Sequence, residues 1–257
     1  MKVTIVLMVK TNRHFKSPSF SKRVLVVVGG YGSGKSEVSV NLARHLVAVG
    51  QLNVAIADLD IVNPYFRSRE VDAQMETLGI ETIHPKGSHA YADLPIIIPQ
   101  VKSAIEGYDG ALILDVGGDD AGARVLSSLA GSFPPDDHEV FFVLNANRPF
   151  NSDVDSCLQL MERIKKSARL KFTAIISNTH MVEHTTSEDI LKGIDLATKL
   201  SRVSALPVVF IAAMRKQLSE INPEQIDVPV LPLDRLLLKP WEKANDFKVP
   251  PTQRKEK

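Results

Sequence analysis

The chain has 257 residues, 44% hydrophobic and 24% charged, which is the composition of a globular protein long enough to bury a full core. Lys and Arg number 31 against 30 Asp and Glu, so there is no global positive field to hold a nucleic-acid backbone or an anionic membrane surface. A single cysteine, Cys157, excludes an intrachain disulfide, and no apolar run approaches the roughly 20 residues that cross a bilayer as a helix; a soluble cytoplasmic protein is expected.

Lys2 and the run Val3–Val9 superficially resemble the start of a signal peptide. Lys10, Arg13, His14 and Lys16 stand where a small-residue cleavage site should be, so residues 1–21 are read as an N-terminal extension or an extra edge strand. From Arg23 onward short β-branched runs alternate with helical patterns, the signature of βαβ units in a mainly parallel sheet. The runs are Val24–Val28, Val54–Ala57, Ala111–Leu114, Val140–Leu144, Phe172–Ile176 and Pro207–Ile211, several without the polar alternation of a half-exposed strand. Helices are expected over Lys35–Val49, stopped by Gly50, and Pro64–Leu78, stopped by Gly79. A third starts at Ser152 with Asp153 and Asp155 in its first turn, and a fourth opens with Thr185 and Glu188 at the spacing of a capping box. One α/β domain over 22–233 is expected, a mainly parallel sheet flanked by helices. A wrapping segment and tail follow over 234–257, where Trp241 packs back onto the domain.

Gly29-Gly-Tyr-Gly-Ser-Gly-Lys-Ser36 fits G-x-x-x-x-G-K-[ST], between a buried strand and an amphipathic helix. Glycines let consecutive N–H groups turn inward at phosphate oxygens, and the helix adds its positive dipole end. Nucleotide contacts are therefore expected along Gly29, Gly30, Tyr31, Gly32, Ser33, Gly34, Lys35, Ser36 and Glu37, with Lys35 on the β and γ phosphates and Ser36 on Mg²⁺. Asn53–Asp60 ends in Asp58 and Asp60, at the strand edge where open α/β sheets bind ligands; one of them is to orient the attacking water, and Asp58 is also a candidate metal ligand. Ala111–Gly118 is an apolar strand ending in Asp115, a metal-holding carboxylate. Gly118 three residues on has the D-x-x-G spacing at which an N–H senses the γ-phosphate, and Asp119 and Asp120 are expected to cap a helix over Ala121–Ala130.

This order of motifs, closed by Asn178 at the end of a late strand, resembles the MinD/ParA group of P-loop ATPases over roughly Arg23 to Leu233. The resemblance implies the three-layer P-loop sandwich, ATP with Mg²⁺, slow hydrolysis under the control of a protein partner, and Asn178 beside the base. Many members carry a further lysine, K-G-G-x-G-K-[ST], that reaches across a nucleotide-sandwich dimer; Gly30 stands there, so a homodimer does not carry over and is left as an open alternative. Thr179 and Met181 replace the Lys and Asp of a GTP-specific N-K-x-D, which favours ATP, and Val230–Arg235 matches the group's last strand more weakly. The other enzyme reading is a small-molecule kinase with Asp58 or Asp60 activating an acceptor hydroxyl, although Arg163, Arg169, Arg202 and Arg215 are too scattered for an arginine-rich lid. Residues 61–110, with Arg67, Arg69, His84, Lys86, His89 and Tyr91, are the expected switch or substrate region; Asn145, Asn147 and Arg148 either touch ligand or cap the helix after Ser152.

Overall fold

The computed structural model describes residues 15–237 apart from 52, 61–68, 84–93 and 119, and gives the backbone alone at 69–72, 94–97, 120 and 121. Among the described residues eight strands and seven helices alternate: β1 (Val24–Gly29), α1 (Lys35–Ala48), β2 (Val54–Leu59), α2 (Arg69–Thr77), β3 (Glu81–Ile83), α3 (Leu94–Gly107), β4 (Ala111–Val116), α4 (Asp120–Leu129), β5 (His138–Leu144), α5 (Val154–Ala168), β6 (Ala174–Ser177), α6 (Ser187–Ser204), β7 (Val208–Met214), α7 (Arg215–Leu218) and β8 (Val230–Leu233). All strand pairs are parallel, in the order β3-β2-β4-β1-β5-β6-β7-β8.

Period-two side-chain alternation sorts each strand onto two cores. Val24, Val26 and Val28 of β1 pack in one layer with Val101 and Ile105 of α3, Leu126 of α4, Leu160 of α5 and Leu196 of α6. Leu25 and Val27 face Val38, Leu42 and Leu46 of α1 and Met75 of α2 on the opposite side. Both faces are covered, which is why β1 reads as an unbroken apolar run.

Sequence and structure differ at several ends. β3 was not expected; it is a three-residue edge strand with only half-buried Thr82 and Ile83 behind its pairing to β2. α3 was not expected either, because Pro99 removes a donor inside the helix. The guanidinium of Arg23 supports its C-terminal turn, donating to the carbonyls of Ala104, Ile105 and Tyr108 at 3.3, 2.6 and 3.3 Å. α5 begins at Val154, with Asp153 as the N-cap accepting from Ser156 N. The capping box of α6 is Thr186 with Asp189, one residue beyond the expected pair, because the Thr185 hydroxyl is engaged by Met181 N and Val182 O.

Both flanking segments pack onto the sheet. Phe20 lies 5.9 Å from the rings of Phe141 and Phe210, and Lys16 O accepts from Val230 N at 2.8 Å. Beyond β8, Asp234 pairs with Arg44 of α1 and Arg215 of α7, while Leu236 and Leu237 join the α1 side of the core. Trp241 and the tail after 237 lie outside the described residues.

Candidate nucleotide-binding site

At the C-terminal end of β1 the chain turns back through residues 30–34 into α1, and backbone packing fixes that turn. Gly34 has φ +83, and a Cβ there would meet Asn178 Nδ2 at 2.4 Å and His180 Nε2 at 2.7 Å, so no other residue fits without moving both. Ser33 N donates to Gly30 O, and Asn178 Nδ2 donates to Ser33 O at 2.8 Å. Asn178, expected beside the base, braces the phosphate loop from the end of β6.

A cavity of about 420 Å³ opens over this loop. Gly32, Gly34, Lys35, Ser36, Asp60 and Arg148 give it a polar lining; Val182, Ile190, Ala213, Met214, Leu233 and Leu237 supply a mainly apolar slot, which Thr185 and Arg235 also line. Asn178 and His180 line it as well. Burial pushes the His180 ring down to about 4, helped by the nearby positive charge of Arg148, so the imidazole is neutral near pH 7. Its Nε2 is buried with no hydrogen-bond partner.

The carboxylates converge from two adjacent strands. Asp58 and Asp115 are Cα partners across β2 and β4. Asp115 is fully buried; burial raises its pKa to about 6, against the opposing pull of the Lys35 charge and the hydroxyls of Ser36 and Ser39. Ser39 Oγ donates to Asp115 Oδ1 at 3.2 Å, whereas Oδ2 is buried without a partner. Asp58 Oδ1 accepts from Asp60 N at 2.8 Å, and of the two, Asp60 lines the cavity.

Other expected contacts have further neighbours, although Tyr31 and Glu37 also line the cavity. Tyr31 is 75% exposed. Gly30 and Gly118 line a separate cleft of about 240 Å³ with Tyr31, Phe150, Leu160 and Arg163. The Glu37 carboxylate accepts from Leu236 N at 2.6 Å and Leu237 N at 3.3 Å, and its pKa is raised by burial against those two donors. Gly118 lies against the loop, a Cβ there being 2.2 Å from Gly29 O. Asn145 and Arg148, two of the three residues left between ligand and cap, both donate to Gly32 O, at 3.4 and 2.8 Å, while Asn147 donates to Asp189 of α6 at 2.8 Å. Arg67, His84, Lys86, His89, Tyr91 and Asp119 lie outside the described residues, as does the side chain of Arg69. Ser39 and His180 were not singled out from the sequence. Ser39 had a signal, one turn beyond Ser36 on the same helix face; His180 had none.

Among the described residues no three His, Cys, Asp or Glu side chains converge as a metal site, and no helix is long and apolar enough to cross a membrane.

No family model matches the chain, and no curated protein matches it. Among solved structures it is similar to the cell division protein ftsY of Thermotoga maritima, with a TM-score of 0.53 and 22% identity over 82% of this chain and 69% of that one. It is also similar to the signal recognition particle receptor FtsY of Elizabethkingia anophelis, with 0.51 and 18% over 81% and 65%, and to FtsY of Mycoplasma mycoides, with 0.50 and 18% over 84% and 69%. At these identities the likeness is one of fold: the expected P-loop α/β sandwich is present, and the neighbours are FtsY proteins where the motif order had suggested the MinD/ParA group.

Proposed function

We propose that this P-loop protein binds ATP with Mg²⁺, hydrolyses it slowly and uses the nucleotide state to control a protein partner. The observation that carries the reading is the continuity of one cavity from the phosphate loop to an apolar slot, in the size range of a small-molecule site. The triphosphate takes the loop end, where backbone N–H groups, the α1 dipole and Lys35 supply positive charge. The purine takes the slot.

Adenine suits that slot better than guanine, which needs an acid to accept from its N1 and exocyclic amine. The acids lining the cavity are Asp60, at the phosphate end, and Glu37, which already accepts from Leu236 and Leu237. Met181 stands where an acid of an N-K-x-D motif would be.

The residues present fit Mg²⁺: the Ser36 hydroxyl faces Asp115, and the buried Oδ2 of Asp115 lacks a partner in the protein. Those two groups would hold the ion, the rest of its oxygen shell coming from water and phosphate. Bound there, Mg²⁺ would neutralise charge on the phosphates. Lys35 holds the same oxygens, and Asp60 orients the attacking water, with Asp58 fixing the Asp60 backbone. Phosphate-dependent movement of the loop passes to Gly118 and α4, beside the exposed aromatic side chains of Tyr31 and Phe150, a surface suited to a partner.

Titration calorimetry with ATP, GTP and ADP in Mg²⁺, together with phosphate release, tests this. ATP is expected to bind and turn over slowly, and Lys35→Ala to abolish uptake. Tighter binding of GTP overturns the base assignment, and ADP formation without inorganic phosphate in the presence of an added metabolite points to a kinase instead.

A further inference from the structure

Arg148, on the loop after β5, turns its side chain across the phosphate loop. Nε donates to Gly32 O at 2.8 Å, and the guanidinium fills the space a Gly32 side chain would need: a Cβ there would meet Nε at 2.9 Å, Cζ at 3.1 Å and Nη2 at 3.4 Å. The backbone beneath is held by Arg148 N donating to Asn145 O at 3.0 Å, and Asn145 Nδ2 ties the same loop to Gly32 O and His180 O.

Holding Gly32 takes only Nε. Among the described residues no carboxylate pairs with Arg148, and no acceptor takes its two terminal nitrogens. A half-buried guanidinium with no counter-charge lining the same cavity as Gly34 and Lys35 is a fork of donors without an anion. Phosphate oxygens match that fork in charge and geometry. We propose that Arg148 is a nucleotide-contacting residue whose terminal Nη groups take phosphate oxygens of the bound nucleotide while its Nε holds Gly32 in place.

The proposal rests on the ATP reading of the same cavity, and one substitution separates the two tasks of the side chain. In Arg148→Gln the amide nitrogen falls where Nε was, so the bond to Gly32 O survives while the charge and terminal donors are lost; Arg148→Ala removes both. ATP and adenosine affinities are measured by calorimetry and competition on the full chain in Mg²⁺, with the melting temperature of each variant. Arg148→Gln is expected to melt like wild type, to weaken ATP about tenfold or more, as loss of a charge-assisted hydrogen bond implies, and to leave adenosine affinity within about twofold. The salt dependence of its ATP affinity should also be shallower than that of wild type. Arg148→Ala is expected to lose ATP affinity to a similar or greater extent and to melt lower. Unchanged ATP affinity in Arg148→Gln, or equal loss for ATP and adenosine, overturns the phosphate contact. Failure of the wild type to bind ATP overturns the ATP reading itself.

Discussion

Gly118→Ala tests whether the β4–α4 turn and the phosphate loop move as one body. A Cβ at 118 would stand 2.2 Å from Gly29 O, 2.8 Å from Gly30 C and 3.0 Å from Tyr31 N, all backbone atoms that no rotamer change can clear. Ordinary contact begins at 3.4 Å, so the approach to Gly29 O is 1.2 Å short and one of the two segments must give way. Gly118 is not among the glycines with positive φ, so alanine meets no backbone penalty and the loss is steric. Overpacking of this kind costs about 1–3 kcal/mol, and at about 2–4 °C per kcal/mol for a chain of this size the melting temperature should fall by roughly 2–12 °C. Because the displaced atoms include amides proposed to hold phosphate, ATP affinity should fall as well. Thermal unfolding by circular dichroism and ATP calorimetry read both effects. Gly131→Ala, where a Cβ meets nothing within 4 Å, is the control and should be neutral. A Gly118→Ala protein that melts with that control and binds ATP like wild type refutes the coupling.

His180 gives the fold a pH dependence of known sign. Its folded pKa, about 4, lies below the ordinary 6.5, so its contribution is present above pH 6.5 and is lost as pH falls toward 4, up to about 3 kcal/mol. Chemical denaturation of wild type against His180→Gln should show the difference narrowing across that window; a constant difference would contradict the buried neutral ring. Cys157 is fully buried and its thiol is pushed up to about 12, so alkylation of the native protein should proceed only as fast as the chain opens. Rapid labelling at pH 8 without unfolding would rule out that burial. Thr186→Ala removes the hydroxyl that accepts from Asp189 N and should cost about 1 kcal/mol in urea, whereas Glu188→Ala should cost little.

What was legible in the sequence was what is contiguous in it. The run of β1, the glycines after it and Lys35–Ser36 form one segment whose backbone geometry is set by residue type, and the apolar strand ending in Asp115 is another. The ends of α6 show the limit: Thr185 and Thr186 each stand three residues before an acid, and only the bonds of Thr185 to the preceding turn decide between them. α3 contradicts its own propensity at Pro99, and it forms because Val101 and Ile105 bury against the sheet. The brace from Asn178 to Ser33, the bonds from Leu236 and Leu237 to Glu37, and the reach of Arg148 to Gly32 join residues more than 100 positions apart. Such contacts leave no local pattern, because the topology and not the spacing brings them together.

The slot proposed to receive the purine is completed by Leu233 and Leu237, while the loop proposed to take the phosphates starts at Gly29. On a ribosome adding about 5–20 residues per second, roughly 10–40 s separate the emergence of these two parts. On the proposed reading a growing chain offers a half-built receptor, which a nucleotide can stabilise in full only once the chain is synthesised through β8 and Leu237.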